Sequence, residues 1–354
     1  MPPPLHTITT TTMTKLIVIT GITGKQGGSV ADAFLSAPGW RIRAITRNPT
    51  SPAAAAWAAK GVELVQADMD SIPSLTTAFA GATAIFAMTD FWTPMADPAT
   101  HAAAAARGVS VNEQCHDLEV QRGKNLALAA GATAGLERFV WSTLSAAAAR
   151  SGGRYRQLWH FDGKAEVERF ARAELPGKAR FVQVGLYVDN WRVAAQEVVR
   201  GPDGRFVHRG LGDGRTRLPF VWTRRDVGVV VRRLVEEVEA GKSALAYSEF
   251  ISWREFMAKF SKVLGVELGG DEGIETLSFQ ELKDVTHGDE NIKNEVAESF
   301  AYFEEFGYDG GDPEVLYAKD VSVTLPTPGL QSKAGAIKLT KKMTDWSRKP
   351  SNPD

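Results

Sequence analysis

The sequence predicts an α/β protein in which a doubly wound parallel sheet is followed by a smaller C-terminal domain. Three observations lead there. Short β-branched segments alternate with amphipathic helical ones through the first half, a glycine-rich turn joins the first strand to the first helix, and the alternation weakens beyond about residue 185.

The elements follow in order. Lys15–Thr20 is a β-branched run that ends in glycines, as a buried strand would. Residues 26–36 have helical spacing, with Val30 and Phe34 on one face. Trp40–Thr46 alternates and stops at Asn48-Pro49, which reads as a second strand. Further strands are expected at 62–66, 83–88, 138–142 and 180–184, with helices at 71–80, 114–130 and 160–173. In the second half, Gly201-Pro-Asp-Gly204 and Gly210-Leu-Gly-Asp-Gly214 are turn clusters around short strands. Amphipathic helices are expected there at 226–238, Trp253–Leu264 and 291–306. The expected division is a low-complexity tail at 1–13, a cofactor domain at 14–190, a smaller cap or substrate domain at 191–325, and an extended tail at 326–354.

Composition narrows the function. The chain has 354 residues, 44% of them apolar, enough for a sizeable core. Its 41 basic residues nearly balance 42 acidic ones, which argues against bulk capture of nucleic acid. Cys115 is the single cysteine, so neither an intrachain disulfide framework nor a cysteine-based zinc site is expected, and a reducing compartment fits. No run approaches a membrane span and the first residues lack signal-peptide character; Met13 is an alternative start. The expectation is a cytoplasmic protein with nuclear access left open.

The turn after the first strand reads Gly21-Ile-Thr-Gly24-Lys-Gln-Gly27-Gly28. Glycines between a strand and a helix permit a tight turn, close approach of backbone to a pyrophosphate, and close helix–strand contact. The helix N-terminus then presents free N–H groups to phosphate. Gly21, Thr23, Gly24, Lys25, Gln26 and Gly27 are therefore candidate cofactor contacts. The second strand ends Ile45-Thr-Arg47-Asn48 with no acid for a ribose 2′-hydroxyl, and Arg47 suits a 2′-phosphate, which favours NADP. Asp68 and Met69 follow the third strand, where they would flank an adenine. Thr89 follows the fourth.

The glycine turn, Ile45-Thr-Arg-Asn-Pro49, Gly61-Val-Glu-Leu-Val-Gln-Ala-Asp68, Thr89-Asp-Phe-Trp92 and His160-Phe-Asp-Gly-Lys-Ala-Glu-Val-Glu168 together resemble the NmrA-like family, atypical members of the short-chain dehydrogenase/reductase superfamily. The resemblance covers about residues 14 to 190. It implies a Rossmann-type domain holding NADP through the glycine turn and Arg47. It also implies two possible outputs, since some members look like NADP-sensing regulators with protein partners and others like reductases that use a lysine.

Ordinary members of that superfamily carry Tyr-x-x-x-Lys on one helical face. Here the register reads His160-Phe-Asp-Gly-Lys164, with histidine in place of tyrosine. Either Lys164 acts directly while His160 donates or relays the proton, or Lys164 only hydrogen-bonds the nicotinamide ribose, or both are solvated helix positions. Tyr155 lies too far along the chain for the local motif unless a loop folds it inward. The other histidines lack metal-like spacing, so no metal is expected, and Cys115 reads as a packed thiol. Phe91, Trp92, Tyr187 and Trp191, with Trp222 from the second half, would form a flat apolar slot if they converge; otherwise they pack the domains together. The resulting expectation is an NADPH-dependent oxidoreductase that reduces a carbonyl or conjugated double bond of a small hydrophobic molecule. The alternative is an NADP(H)-sensing protein that binds a protein partner without turnover. Neither reading involves direct nucleic-acid or membrane binding.

Overall fold

The computed structural model describes residues 14–192 and 198–317, with side chains omitted at 191 and 192. Alternation along the first strand, β1 (Lys15–Thr20), sends Leu16 and Val18 into one core cluster and Ile17 and Ile19 into another. A strand apolar on both faces needs helices on both sides of its sheet, and the rest of the chain supplies them.

The strands continue as β2 (Trp40–Thr46), β3 (Glu63–Gln66), β4 (Ala84–Ala87), β5 (Arg138–Thr143), β6 (Ala179–Val184), β7 (Leu186–Tyr187), β8 (Val198–Arg200), β9 (Phe206–Gly210), β10 (Arg217–Val221), β11 (Ser243–Ala246), β12 (Glu249–Ser252), β13 (Ile274–Thr276) and β14 (Val315–Tyr317). Eight of them form one parallel sheet in the order β14-β11-β6-β5-β4-β1-β2-β3. Two three-stranded sheets, β12-β10-β7 and β13-β9-β8, stand apart from it. The order reverses between β1 and β4, and ligands of open α/β sheets bind in the crevice that such a reversal opens.

The helices of seven residues or more are α1 (Lys25–Leu35), α2 (Pro52–Ala58), α3 (Ile72–Phe79), α4 (Pro98–Arg107), α5 (Val111–Gly131), α6 (Trp159–Glu174), α7 (Thr223–Glu236), α8 (Trp253–Leu264), α9 (Phe279–Val285) and α10 (Glu290–Phe306). Helices α1 and α7 cover one face of the large sheet, while α3, α5 and α6 cover the other. Helices α2 and α4 were not expected from periodicity. Both are alanine-rich with little apolar stripe, and their starts are set locally by Ser51 and Asp97 capping ahead of a proline.

The expected boundary at residue 190 is not where the chain leaves the sheet. Helix α7 packs on α1, and β11 and β14 extend the sheet beyond β6. Strand β11 reads Ser-Ala-Leu-Ala, with no β-branched or aromatic residue, and β14 has only three residues, so neither carries a strand signal in the sequence. The remainder of 198–317, including α8 to α10, builds with Leu158 and Phe161 of the first half an aromatic core around Phe256, Phe260, Phe300 and Phe303. The Trp191 side chain, the tail 1–13 and the tail 326–354 lie outside what the structure describes. Among the described residues, no helix is long and apolar enough to cross a membrane.

Candidate active site

At the C-terminal ends of the sheet strands lies a cleft of ≈1220 Å³. Its wall at β1 is the glycine turn. Gly21 sits at φ +67°, and a Cβ there would fall 2.9 Å from Met88 Sδ. Gly27 does not face the cleft. It lies behind the turn, where a Cβ would come 2.4 Å from the Gly21 carbonyl oxygen, so the third glycine lets the helix press against the strand end. Gly24 caps α1 with no side-chain acceptor, and the first turn carries no acid, which leaves its N–H groups available to an anion. The Thr20 hydroxyl donates to the Met88 carbonyl (3.1 Å) and accepts from the Met88 N–H (2.8 Å), fixing β1 against the residue after β4.

Ile22, Thr23, Gly24, Lys25 and Gln26 line the cleft together with Arg47, Asp68, Met69 and Thr89. Arg47 is exposed and has no ion pair with any described residue. Close to it, Arg122 of α5 clamps Asp70 through two bonds of 2.8 and 2.9 Å, which holds the Asp70 carboxyl below its ordinary value. Gln26 is nearly buried and works as a bridge: its amide donates to the Tyr187 hydroxyl (2.7 Å) and its carbonyl accepts from the Ser142 hydroxyl (2.7 Å). Lys25 pairs with Asp189 at 3.2 Å.

The other end of the cleft holds His160 and Lys164, one turn apart on α6. The Lys164 carbonyl accepts from Trp141 Nε1 (3.0 Å) and from the Thr143 hydroxyl (3.3 Å), which pins that turn to β5. Lys164 Nζ ion-pairs with Glu119 of α5 and lies 3.4 Å from the Thr89 carbonyl. Glu119 is fully buried; Oε1 also accepts from the Thr89 hydroxyl (2.8 Å), while Oε2 has no hydrogen-bond partner among the described residues. His160 Nδ1 lies 2.5 Å from Oε1 of Glu295 on α10, a second fully buried carboxylate. Neither glutamate was singled out from the sequence. In each case the readable sign was an acid on an apolar helical stripe: Glu119 is spaced with Cys115 and Leu126, and Glu295 with Ile292, Ser299 and Phe303.

The apolar part of the site is Phe91, Trp92 and Tyr187, joined by Ile292, Val296, Phe300 and Phe303 of α10. Phe91 is buried and Trp92 is 45% exposed. The turn carrying them is held by Asp90, whose Oδ1 accepts from the Trp92 N–H at 2.9 Å. The α10 residues were not expected as site residues. Trp222 is not part of the slot; it packs under the Arg225 guanidinium at 4.9 Å. Tyr155 is not folded inward either, since its hydroxyl donates to Glu305 at 2.8 Å. Cys115 is buried, and burial pushes its thiol up to about 11, as suits packing rather than nucleophilic attack. Among the described residues, no cluster of His, Cys, Asp and Glu could hold a metal ion.

Burial pushes the Asp162 carboxyl, between His160 and Lys164 on α6, up to about 6 from 3.8; the Ala148 N–H at 3.1 Å only partly offsets that. A folded-state value above the unfolded one means that ionisation opposes folding, so stability falls as pH rises from about 4 to about 6. Asp162→Asn is expected to stabilise the protein by about 2 kcal/mol near pH 7 and by little near pH 4. Urea unfolding at the two pH values checks it; equal effects at both would contradict the assignment.

Fold and site together define a doubly wound α/β protein of the Rossmann type, with its cleft at the strand-order reversal. Residues 13–327 match the NmrA-like family model, and the chain belongs to that family. Similar proteins include an NmrA-like family domain-containing oxidoreductase of Aspergillus hancockii, 26% identical over 287 residues that cover 77% of this chain and 80% of that one. Another, of Penicillium ochrochloron, is 28% identical over 269 residues, covering 71% and 73%. Among solved structures, NmrA, a negative transcriptional regulator, in complex with NADP superposes with TM-score 0.63 and 19% identity, covering 96% and 93% of the two chains. Citrobacter sp. triphenylmethane reductase complexed with NADP(H) gives TM-score 0.62 and 20% identity, covering 92% and 99%.

Proposed function

We propose that the chain is an NADPH-dependent oxidoreductase that reduces a carbonyl or conjugated double bond of a small hydrophobic molecule. The observation that carries this reading is the cleft itself. The glycine turn and Arg47 line one end and the His160–Lys164 pair the other, with an aromatic wall beside the pair. The names of the Aspergillus and Penicillium relatives support the reaction class, and the NADP complexes of two proteins with this fold support the cofactor.

The residues present fit such a cofactor. A Cβ on Gly21 would crowd Met88 in the cleft wall and one on Gly27 would push α1 off the strand end, the start of α1 has no acid or cap competing for its N–H groups, and Arg47 has no ion pair with any described residue. Bound there, NADPH would supply the hydride. Asp68 and Met69 would border the adenine, and Arg47 would meet the 2′-phosphate. Thr89 and Lys164, linked through Glu119, would face the nicotinamide end. His160, with Nδ1 engaged by Glu295, would give a proton from Nε2 to the substrate oxygen. Phe91, Trp92, Tyr187 and α10 would exclude water around the acceptor.

Arg47→Ala is expected to weaken NADPH binding by about 10- to 100-fold and to leave NADH binding nearly unchanged. Fluorescence titration with both nucleotides checks it, and an unchanged preference would remove Arg47 from the site. The activity itself is tested by following NADPH absorbance with a panel of ketones, enals and quinones. Turnover is expected with at least one aromatic or otherwise apolar acceptor.

A second reading is a sensor that binds NADP(H) and a protein partner without turnover. Two features favour it: the missing tyrosine, and an ammonium already engaged by Glu119. Tight NADPH binding with no turnover across the panel would decide for the sensor.

A further inference from the structure

We propose that Glu295 is the positioning residue of His160, and that α10 thereby brings the proton donor's orienting carboxylate and the wall of the substrate slot to the site on one helix. The inference rests on the reading of His160 as donor, and it concerns a residue 135 positions away in the chain.

The contacts of this carboxylate are all spoken for. Oε1 accepts from the His160 backbone N–H at 3.0 Å and faces Nδ1 of the ring at 2.5 Å. Oε2 accepts from the side-chain amide of Asn112, itself fully buried on α5. Double anchoring through backbone and ring fixes both the start of α6 and the ring plane. Phe161 stands edge-on to the ring at 4.8 Å, and Trp92 and Phe91 lie tilted to it at 5.1 and 5.8 Å, so the imidazole has little rotational freedom. A buried carboxylate on Nδ1 makes that nitrogen the N–H in the neutral ring, as second-shell carboxylates do for other functional histidines. Nε2 then carries the exchangeable function toward the cleft. In the protonated ring it donates to substrate oxygen, and in the reverse direction its lone pair takes the proton back.

The placement on α10 matters. Ile292 and Ser299 lie three residues before and four after Glu295, hence on the same helical face, and both line the cleft with Val296, Phe300 and Phe303. A shift of α10 on binding a poorly fitting molecule would move the orienting carboxylate along with the wall. Shape selection and proton delivery are thus coupled through one element. Other charged groups nearby are Asp162 and Lys164 on the histidine's own helix, His116 on α5 and Asp90 in the adjoining turn. Among the described residues, Glu295 alone bonds the ring.

The first measurement needs no turnover. Nitrogen-15 NMR of the histidine-labelled protein, with His160→Asn assigning the signal, is expected to show the neutral His160 ring as the Nδ1–H tautomer. An Nε2–H tautomer would overturn the proposal whether or not the protein proves to be an enzyme. The second uses the nearly isosteric Glu295→Gln. With an acceptor found in the panel, its kcat is expected to fall at least about 10-fold with the acceptor KM little changed, because an amide can meet Nδ1 through its nitrogen or its oxygen and no longer fixes which ring nitrogen carries the proton. NADPH affinity should stay unchanged, as Glu295 does not line the cofactor end. An unchanged kcat in a folded variant with wild-type NADPH affinity would overturn it too. A protein that turns over nothing while showing the Nδ1–H tautomer would instead retire the enzymatic reading and leave the positioning contact standing.

Discussion

Gly228→Ala is expected to destabilise the protein by about 3 kcal/mol, and to weaken nucleotide binding as well. Gly228 lies on α7 where that helix crosses α1, and its N–H donates to the Ser29 hydroxyl at 2.9 Å. A Cβ on Gly228 would stand 2.0 Å from the Ser29 carbonyl oxygen and 2.5 Å from its carbon. Both are backbone atoms within α1, so no rotamer change relieves the overlap; one helix must move. Helix α1 also starts at the glycine turn, so moving it displaces the N–H groups expected to meet the phosphates. Gly270→Ala is the control, because a Cβ there meets nothing within 4 Å, and its effect should stay within about 0.5 kcal/mol. Urea unfolding gives the stability of both, and NADPH titration the coupling. Wild-type stability in Gly228→Ala would mean that the α1–α7 crossing is looser than described.

That crossing also shows what a sequence hides. The turn from β1 into α1 was readable because its chemistry is local: a left-handed glycine, a bare helix start and a close-packed third glycine all fall within a few residues. The nine-residue stretch from His160 to Glu168 was readable for the same reason. The assignment of α7 and β11 to the main sheet was not, because it depends on partners up to two hundred positions away: Gly228 meets Ser29, and β11 pairs with β6. The two glutamates fall between these cases. Each sits on an apolar helical stripe, which is an oddity visible in one dimension, but only the fold supplies the partner that makes burial tolerable, Lys164 for Glu119 and the His160 ring for Glu295. The aromatic slot was half legible. Phe91, Trp92 and Tyr187 follow strands and so fall at the sheet's ligand edge, whereas Phe300 and Phe303 reach it only because α10 returns from the second half of the chain.

Replacing Lys164 with methionine is expected to cut turnover by at least about 100-fold, the lower range for loss of a positioned acid–base group. Alone, that variant is ambiguous, because it strands a carboxylate. Glu119 is fully buried, its Oε2 already lacks a partner, and Lys164 is the only cation bonded to it among the described residues. Breaking such a pair by removing one member costs about 3 kcal/mol or more, enough to mimic a catalytic defect through partial unfolding. The double variant Lys164→Met with Glu119→Gln separates the effects. A glutamine at 119 keeps an oxygen for the Thr89 hydroxyl, now 2.8 Å away, and removes the stranded charge. Stability should therefore recover most of the loss while turnover stays down. Glu119→Gln alone should keep the Lys164 amine in place and retain more activity than either variant lacking it. NADPH affinity in the double variant then distinguishes the roles of the lysine. A drop of about tenfold or more with kcat preserved would make Lys164 a ribose ligand and no more, whereas lost kcat at near-normal affinity places it in the chemistry. Wild-type turnover in the double variant would remove Lys164 from the mechanism and leave His160 as the sole candidate donor.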